Sequence, residues 1–154
     1  MSAERPVLEP GKKGSSPWLA VISIFALSAV VAAVLIPSYA DYADREQSSE
    51  AVSVLAGTKT RLAEYYADQK KWPSSLGEVA GTLSGKYVQS IAITKGAGGT
   101  AGEIEVTAVM KTEGADRRVA GKSVKISSSD GGKNWLCRAG TMPEKSLPEA
   151  CRTR

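Results

Sequence analysis

The chain has 154 residues, a formal net charge of +4 and no histidine. Without imidazole, the side chain most used for proton transfer near neutral pH and the commonest metal ligand is missing, and two thiols alone do not complete a four-ligand zinc site. The 20 basic and 16 acidic residues are interspersed along the chain, which describes a solvated surface better than a nucleic-acid-binding stripe. No catalytic residue, metal site or cofactor is assigned.

From Trp18 to Ile36 runs WLAVISIFALSAVVAAVLI, a stretch without a charge. At about 1.5 Å per residue it reaches roughly 28 Å, close to the hydrocarbon thickness of a bilayer. Arg5, Lys12 and Lys13 precede it, while Asp41, Asp44, Arg45 and Glu46 follow. The basic excess near the span therefore lies on its N-terminal side and predicts a cytoplasmic N-terminus. The expected organisation is a cytoplasmic leader-like tail at 1–16, a transmembrane helix segment at 17–37 and an extracytoplasmic globular domain at 38–154. A cleaved secretory signal competes for the same stretch, but the apolar run is longer than the usual core of such a signal and the helical pattern continues past it. Ser28 with Ala32, and Ala29 with Ala33, have the small-xxx-small spacing that lets another helix approach. Ordinary lipid-facing composition accounts for them equally.

Beyond Pro37 no turn cluster occurs until Trp72-Pro73-Ser74-Ser75. Val52, Leu55, Ala56, Leu62, Ala63 and Tyr66 fall near one face at helical spacing, with Lys59 interrupting. One helix of about 50 residues is expected, first membrane-embedded and then amphipathic. Pro37 removes a hydrogen bond to the carbonyl of Ala33, so it either kinks that rod or marks the membrane exit.

From Tyr87 the period changes to alternation. Tyr87, Gln89, Ile91 and Ile93 share one expected face, followed by Ile104, Val106, Ala108 and Met110, then Val124 and Ile126, then Trp135 and Cys137. The Gly- and Asp-rich connections, GAGGTAG, EGAD and SSDGG, favour hairpins. The fold class is therefore α+β, a long N-terminal helix packed on a four-stranded antiparallel meander. Cys137 and Cys151 are the only cysteines. A disulfide in an oxidising compartment is the preferred assignment over two free thiols, and it closes an irregular C-terminal loop.

Several chemical motifs fail on inspection. Gly121-Lys122-Ser123 resembles the end of a phosphate-binding loop, but Asp116 occupies the position of its first glycine. The glycines at 96–102 lack a strand-to-helix context and suit a turn. Glu103 and Glu105 alternate on one strand face as exposed charges, and no Ser-Lys pair carries a nucleophile motif.

The stretch IPSYADYADREQSSEAVSVLAGTKTRLAEYY resembles the type IV pilin spine, in which an apolar helix ends in Ile-Pro-x-Tyr-x-Asp-Tyr and continues. Trp72-Pro73 resembles the aromatic-Pro pair after that spine, and WLCRAGTMPEKSLPEAC resembles the pilin disulfide region with its Leu-Pro-x-x-Cys ending. By this resemblance Pro37 matches the helix-kinking proline, Tyr39 and Tyr42 the following aromatics, and Cys137 and Cys151 the cysteines bounding the surface-exposed region. It implies a pilin-like subunit stored in the inner membrane of a Gram-negative bacterium, whose helix contacts other pilins or pilus-assembly proteins. The fibres of the family serve adhesion, twitching motility and DNA uptake.

The N-terminus departs from that pattern. Lys12-Lys13-Gly14 resembles the end of a prepilin leader, but Ser15-Ser16-Pro17-Trp18-Leu19 follows where the family carries Phe-Thr-Leu-Ile-Glu. Counting back from Pro37 places the cut after Ser15, with Ala20 at the glutamate position; Gly14 and Ser15 are the candidate cleavage residues. Without that glutamate, which pairs in the fibre with a neighbour's N-terminal amine, the expectation is poor cleavage or none. Two functions follow: a minor or atypical pilus subunit, or an unprocessed membrane accessory that modulates assembly without polymerising. A DNA-binding variant would use Lys70, Lys71, Arg117, Arg118, Lys122 and Lys125, although no aromatic platform accompanies them and a charged strand edge explains them too.

Overall fold

A computed structural model describes residues 17–152. A single long helix, α1 (Pro17–Gln69), precedes four strands: β1 (Val88–Lys95), β2 (Ile104–Met110), β3 (Ser123–Ser128) and β4 (Leu136–Ala139). Short 3₁₀ turns lie at Leu76–Glu78, Glu144–Ser146 and Glu149–Cys151. The chain divides after Pro37, and its second unit is Ser38–Arg154. In the first unit α1 is apolar and exposed throughout its described side chains.

In the second unit α1 buries Asp44, Ser48, Ala51, Leu55, Thr58 and Leu62, one stripe with alternating spacings of four and three. That period keeps a single helix face against a flat partner over many turns. The partner is the sheet, in the order β1-β2-β3-β4 with every neighbouring pair antiparallel. The expected four-stranded meander is thus present. Ile104, Val106, Ala108 and Met110 of β2, with Val124 and Ile126 of β3, form its buried face. Each of the Ile, Val and Met side chains among them contributes about 1.5–3 kcal/mol when fully removed from water.

Two details differ from the sequence expectation. In β1, Val88 pairs with Met110 but Ser90 pairs with Val109, so Gln89 is an extra residue in a bulge. The bulge resets the alternation: Val88 and Ile91 are buried, while Gln89 is exposed instead of lying on the inner face. Between β2 and β3, the chain does not turn tightly at EGAD but continues through residues 111–122, burying Val119 on the way.

Trp72 seals the end of α1. Its side chain is fully buried, stacks obliquely on Tyr66 at 4.4 Å between ring centroids and meets Trp135 edge-on at 6.3 Å. Its indole N–H donates to the Ala101 carbonyl at 3.0 Å and its backbone N–H to that of Gly99 at 2.8 Å, so the polar groups of this aromatic anchor are satisfied. Gly132, at φ +86°, passes so close that a Cβ there would lie 2.9 Å from the Cβ of Ala63.

Candidate functional site

Two surfaces carry chemistry. The first is the span at 18–36. Ile24, Phe25, Leu27 and Ile36 are 67–70% exposed, and Trp18, Val30, Val34 and Leu35 are at least 60% exposed. At 100° per residue these positions surround the helix, and no polar face offsets them. A helix that is apolar on every side requires lipid or other helices around it. Among the described residues it is the one helix long and apolar enough to cross a membrane. Tyr39 and Tyr42 follow, both largely exposed, as amphipathic rings at the level of a membrane interface would be.

The second surface is the start of α1 in the second unit, where polar side chains fasten three separate segments. Glu50 accepts from the backbone N–H of Tyr87 through both carboxylate oxygens, at 3.2 and 3.1 Å. Gln47 Oε1 accepts from the N–H of Asp116 at 2.7 Å, holding the β2–β3 loop. Ser48 donates its hydroxyl to the Ser146 carbonyl, and Arg45 Nε donates to the carbonyl of Lys145 at 3.4 Å, holding the C-terminal loop.

Arg118 reaches down from the β2–β3 loop into this group. Its Nη1 pairs with Asp41, and its Nε lies 2.8 Å from Asp44 Oδ2 and 3.8 Å from Asp116 Oδ1. Asp44 is 1% exposed, and its Oδ2 also accepts from the Ser146 hydroxyl at 3.3 Å. Burial raises its pKa, and the neighbouring Asp116 raises it further against the opposing pull of Arg118. Asp116 is held below its ordinary value chiefly by the backbone N–H of Arg118. Sequence patterning missed this cluster because Asp44 looks like a solvent residue just past the span. The available signal was its place in the same four-three stripe as Ala51, Leu55 and Leu62.

Cys137 of β4 and Cys151 of the last turn form the expected disulfide, with Cα atoms 4.6 Å apart. The loop they close buries Met142, Ser146 and Leu147 against the domain. The six cations proposed as nucleic-acid contacts come from three different parts of the fold. Lys70 and Lys71 follow the C-terminus of α1, whereas Arg117, Arg118 and Lys122 lie in the β2–β3 loop, which is tied to α1 at Asp41, Asp44 and Gln47. Arg118 is committed to those carboxylates, and Lys125 on β3 pairs with Glu105 at 3.2 Å. The apparent phosphate loop at Gly121-Lys122-Ser123 leads into β3, so no helix N-terminus faces it. The glycines at 96–102 form the turn that receives Trp72. Pro37 lies inside α1, which is helical on both sides of it. The candidate cleavage residues Gly14 and Ser15 lie outside the described residues.

A wholly apolar exposed helix segment runs on in sequence into the helix of a small disulfide-closed α+β domain. The family described as pilin, a bacterial filament protein, matches residues 45–152. The chain is 37% identical over 133 residues to the fimbrial protein EcpC of Eikenella corrodens, a match that covers 84% of both chains. It is 34% identical over 120 residues to a fimbrial protein of Neisseria meningitidis serogroup A, covering 74% of this chain and 66% of that one. To the type IV major pilin protein PilE1 of Neisseria gonorrhoeae it is 30% identical over 155 residues, covering 84% and 69% respectively. The chain belongs to the pilin family and is a type IV pilin-like protein.

Proposed function

We propose that this chain is a minor or atypical subunit of a type IV pilus serving adhesion, twitching motility or DNA uptake. Before assembly it is a single-pass inner-membrane protein, with its N-terminus cytoplasmic and its C-terminal domain periplasmic. The observation that carries this reading is the exposed span at 18–36, apolar on every side and continuous with the spine of the domain. Such a surface suits lipid in the stored subunit and the helices of neighbouring pilins in the fibre. The flanking charges support the orientation, and the disulfide suits the oxidising side. Pro37 supplies a kink point between the two parts of the spine. The dispersed cations lend DNA contact little support, so uptake would draw on other subunits.

One observation favours a second reading, an unprocessed pilin-like accessory that modulates assembly without polymerising. Ala20 stands where pilins carry the glutamate that pairs with a neighbour's N-terminus, and Ser15-Ser16-Pro17 follows the leader-like Lys12-Lys13-Gly14. Immunoblotting of sheared pili and of inner membranes, with intact-mass analysis of each fraction, separates the two. Protein beginning at Ser15 or Ser16 in the sheared fraction supports the subunit; full-length protein confined to the membrane refutes it in favour of the accessory.

A further inference from the structure

Lys70 is the one residue other than glycine, among those described, with a positive φ, +56°. It stands directly after α1, in the left-handed position that closes a helix, and its N–H donates to the Tyr66 carbonyl at 2.9 Å. Glycine is the usual occupant of that position, and a longer side chain there strains the backbone. A cation at this point meets the negative end of the helix dipole, but the adjacent Lys71 supplies one without a positive φ. Strain kept at one residue is a reason to ask what its side chain does.

The Lys70 side chain lines a groove of about 500 Å³ between the end of α1 and the β3–β4 turn. Its lining is small and smooth. Ala63 and Ala67 contribute from α1, and Gly131 and Gly132 bring bare backbone from the turn, where a Cβ would lie 2.8 Å from the Tyr66 ring and 2.9 Å from the Cβ of Ala63 respectively. The N–H groups of these two glycines are spent on the Gly102 carbonyl and the Ser128 hydroxyl. Asp130 also lines the groove, but its Oδ1 accepts from the Ser128 hydroxyl and the Asn134 N–H, and its Oδ2 from the Asn134 amide. The groups left to act on a ligand are the ammonium groups of Lys70 and Lys133, neither of which pairs with an acid among the described residues.

We propose that this groove binds a carboxylate carried on a compact ring, as in an acidic sugar. The ring lies on the alanine and glycine surface, and Lys70 and Lys133 meet its carboxylate as two mobile point charges. The volume lies within the range of small-ligand sites. A phosphate is best held by a cradle of free backbone N–H groups, and the two glycines that could form one are already engaged. The groove is part of the folded domain, so the inference goes beyond the choice between subunit and accessory and holds for either.

Glucuronate and glucose differ only in a carboxylate against a hydroxymethyl group, which makes them matched probes. Each is titrated into the isotopically labelled full chain, in micelles of a sugar-free detergent at low salt, while the amide resonances of Gly102, Gly131 and Gly132 are followed. Glucuronate should reach half-saturation at a concentration about tenfold below that of glucose, and about 0.5 M NaCl should erase the difference. Lys133→Gln should weaken glucuronate by about threefold. Lys70→Gly should weaken it as much while raising the thermal midpoint by about 2–4 °C, a trade that a lysine serving only the helix end would not show. Should Lys70→Gly fray α1, Lys133→Gln and the salt response decide. No glucuronate binding, equal binding of glucose or of inorganic phosphate, shifts confined to other residues, or unchanged affinity in Lys133→Gln would overturn the proposal.

Discussion

Removing the bridge with Cys137→Ala and Cys151→Ala tests how much of this domain's stability resides in its C-terminal staple. The half-cystines are separated by 14 positions. For a closed loop of about 15 residues, restriction of the unfolded chain is worth about 3 kcal/mol. A further loss is expected because Cys151 is 1% exposed and the loop it anchors holds Met142 and Leu147 in the core. Against the roughly 5–15 kcal/mol that stabilises an ordinary domain, the loss is a large fraction. Urea titration of the full chain in detergent, followed by tryptophan fluorescence, reports it directly, since Trp72 is buried and Trp135 half-buried. With a slope of about 1.5 kcal/mol/M, the midpoint should fall by on the order of 2 M, and reduced wild-type protein should fall equally. A midpoint within about 0.5 M of the oxidised wild type would refute the argument, because the loop would then hold its place without covalent closure.

Trp72→Ala should cost about 3–5 kcal/mol, and Trp72→Phe less, since the smaller change chiefly strands the Ala101 carbonyl; thermal unfolding of both variants tests the order. Gly132→Ala should be far more damaging than Gly114→Ala. Both glycines have positive φ, for which an L-residue costs about 1–2 kcal/mol, but a Cβ at 132 also strikes Ala63 whereas nothing lies within 4 Å at 114. Asp130 is drawn down to about 2 by the backbone and side-chain donors of Asn134, so its stabilisation of the β3–β4 turn is present above the ordinary carboxylate value and lost as pH falls through about 2. Amide exchange across residues 128–134 should therefore stay slow through mild acid and accelerate only near that value, and Asp130→Ala should abolish the dependence.

The parts of the fold that were legible in the sequence are those where a single local signal decides. The span at 18–36, the alternation of β2 and the paired cysteines each put one physical requirement on consecutive or evenly spaced residues. β1 was only partly legible, because the bulge at Gln89 shifts the period by one residue and a periodicity argument assumes none is inserted. The cations were hard to read for a different reason. Sequence proximity put Arg117 beside Arg118, but Arg118 is turned under the loop toward Asp41 and Asp44, a destination about 75 residues away in the chain.

The least legible feature is the one on which the loops depend. Asp44, Ser48 and Thr58 interrupt the apolar pattern of α1, so a hydrophobic-face search begins at Val52 and assigns the preceding turns to solvent. Their burial is tolerable because each has partners: Thr58 donates to the Leu55 carbonyl, Ser48 to the Ser146 carbonyl, and Asp44 accepts from Arg118 and Ser146. An apolar stripe would bury as much area but would hold the loops without regard to position. Hydrogen-bonding groups at 47, 48 and 50 instead specify which backbone atom of each segment meets the helix, and Asp44 adds side-chain contacts to Arg118 and Ser146. The stretch of spine just beyond the span is thus where the surface loops are set.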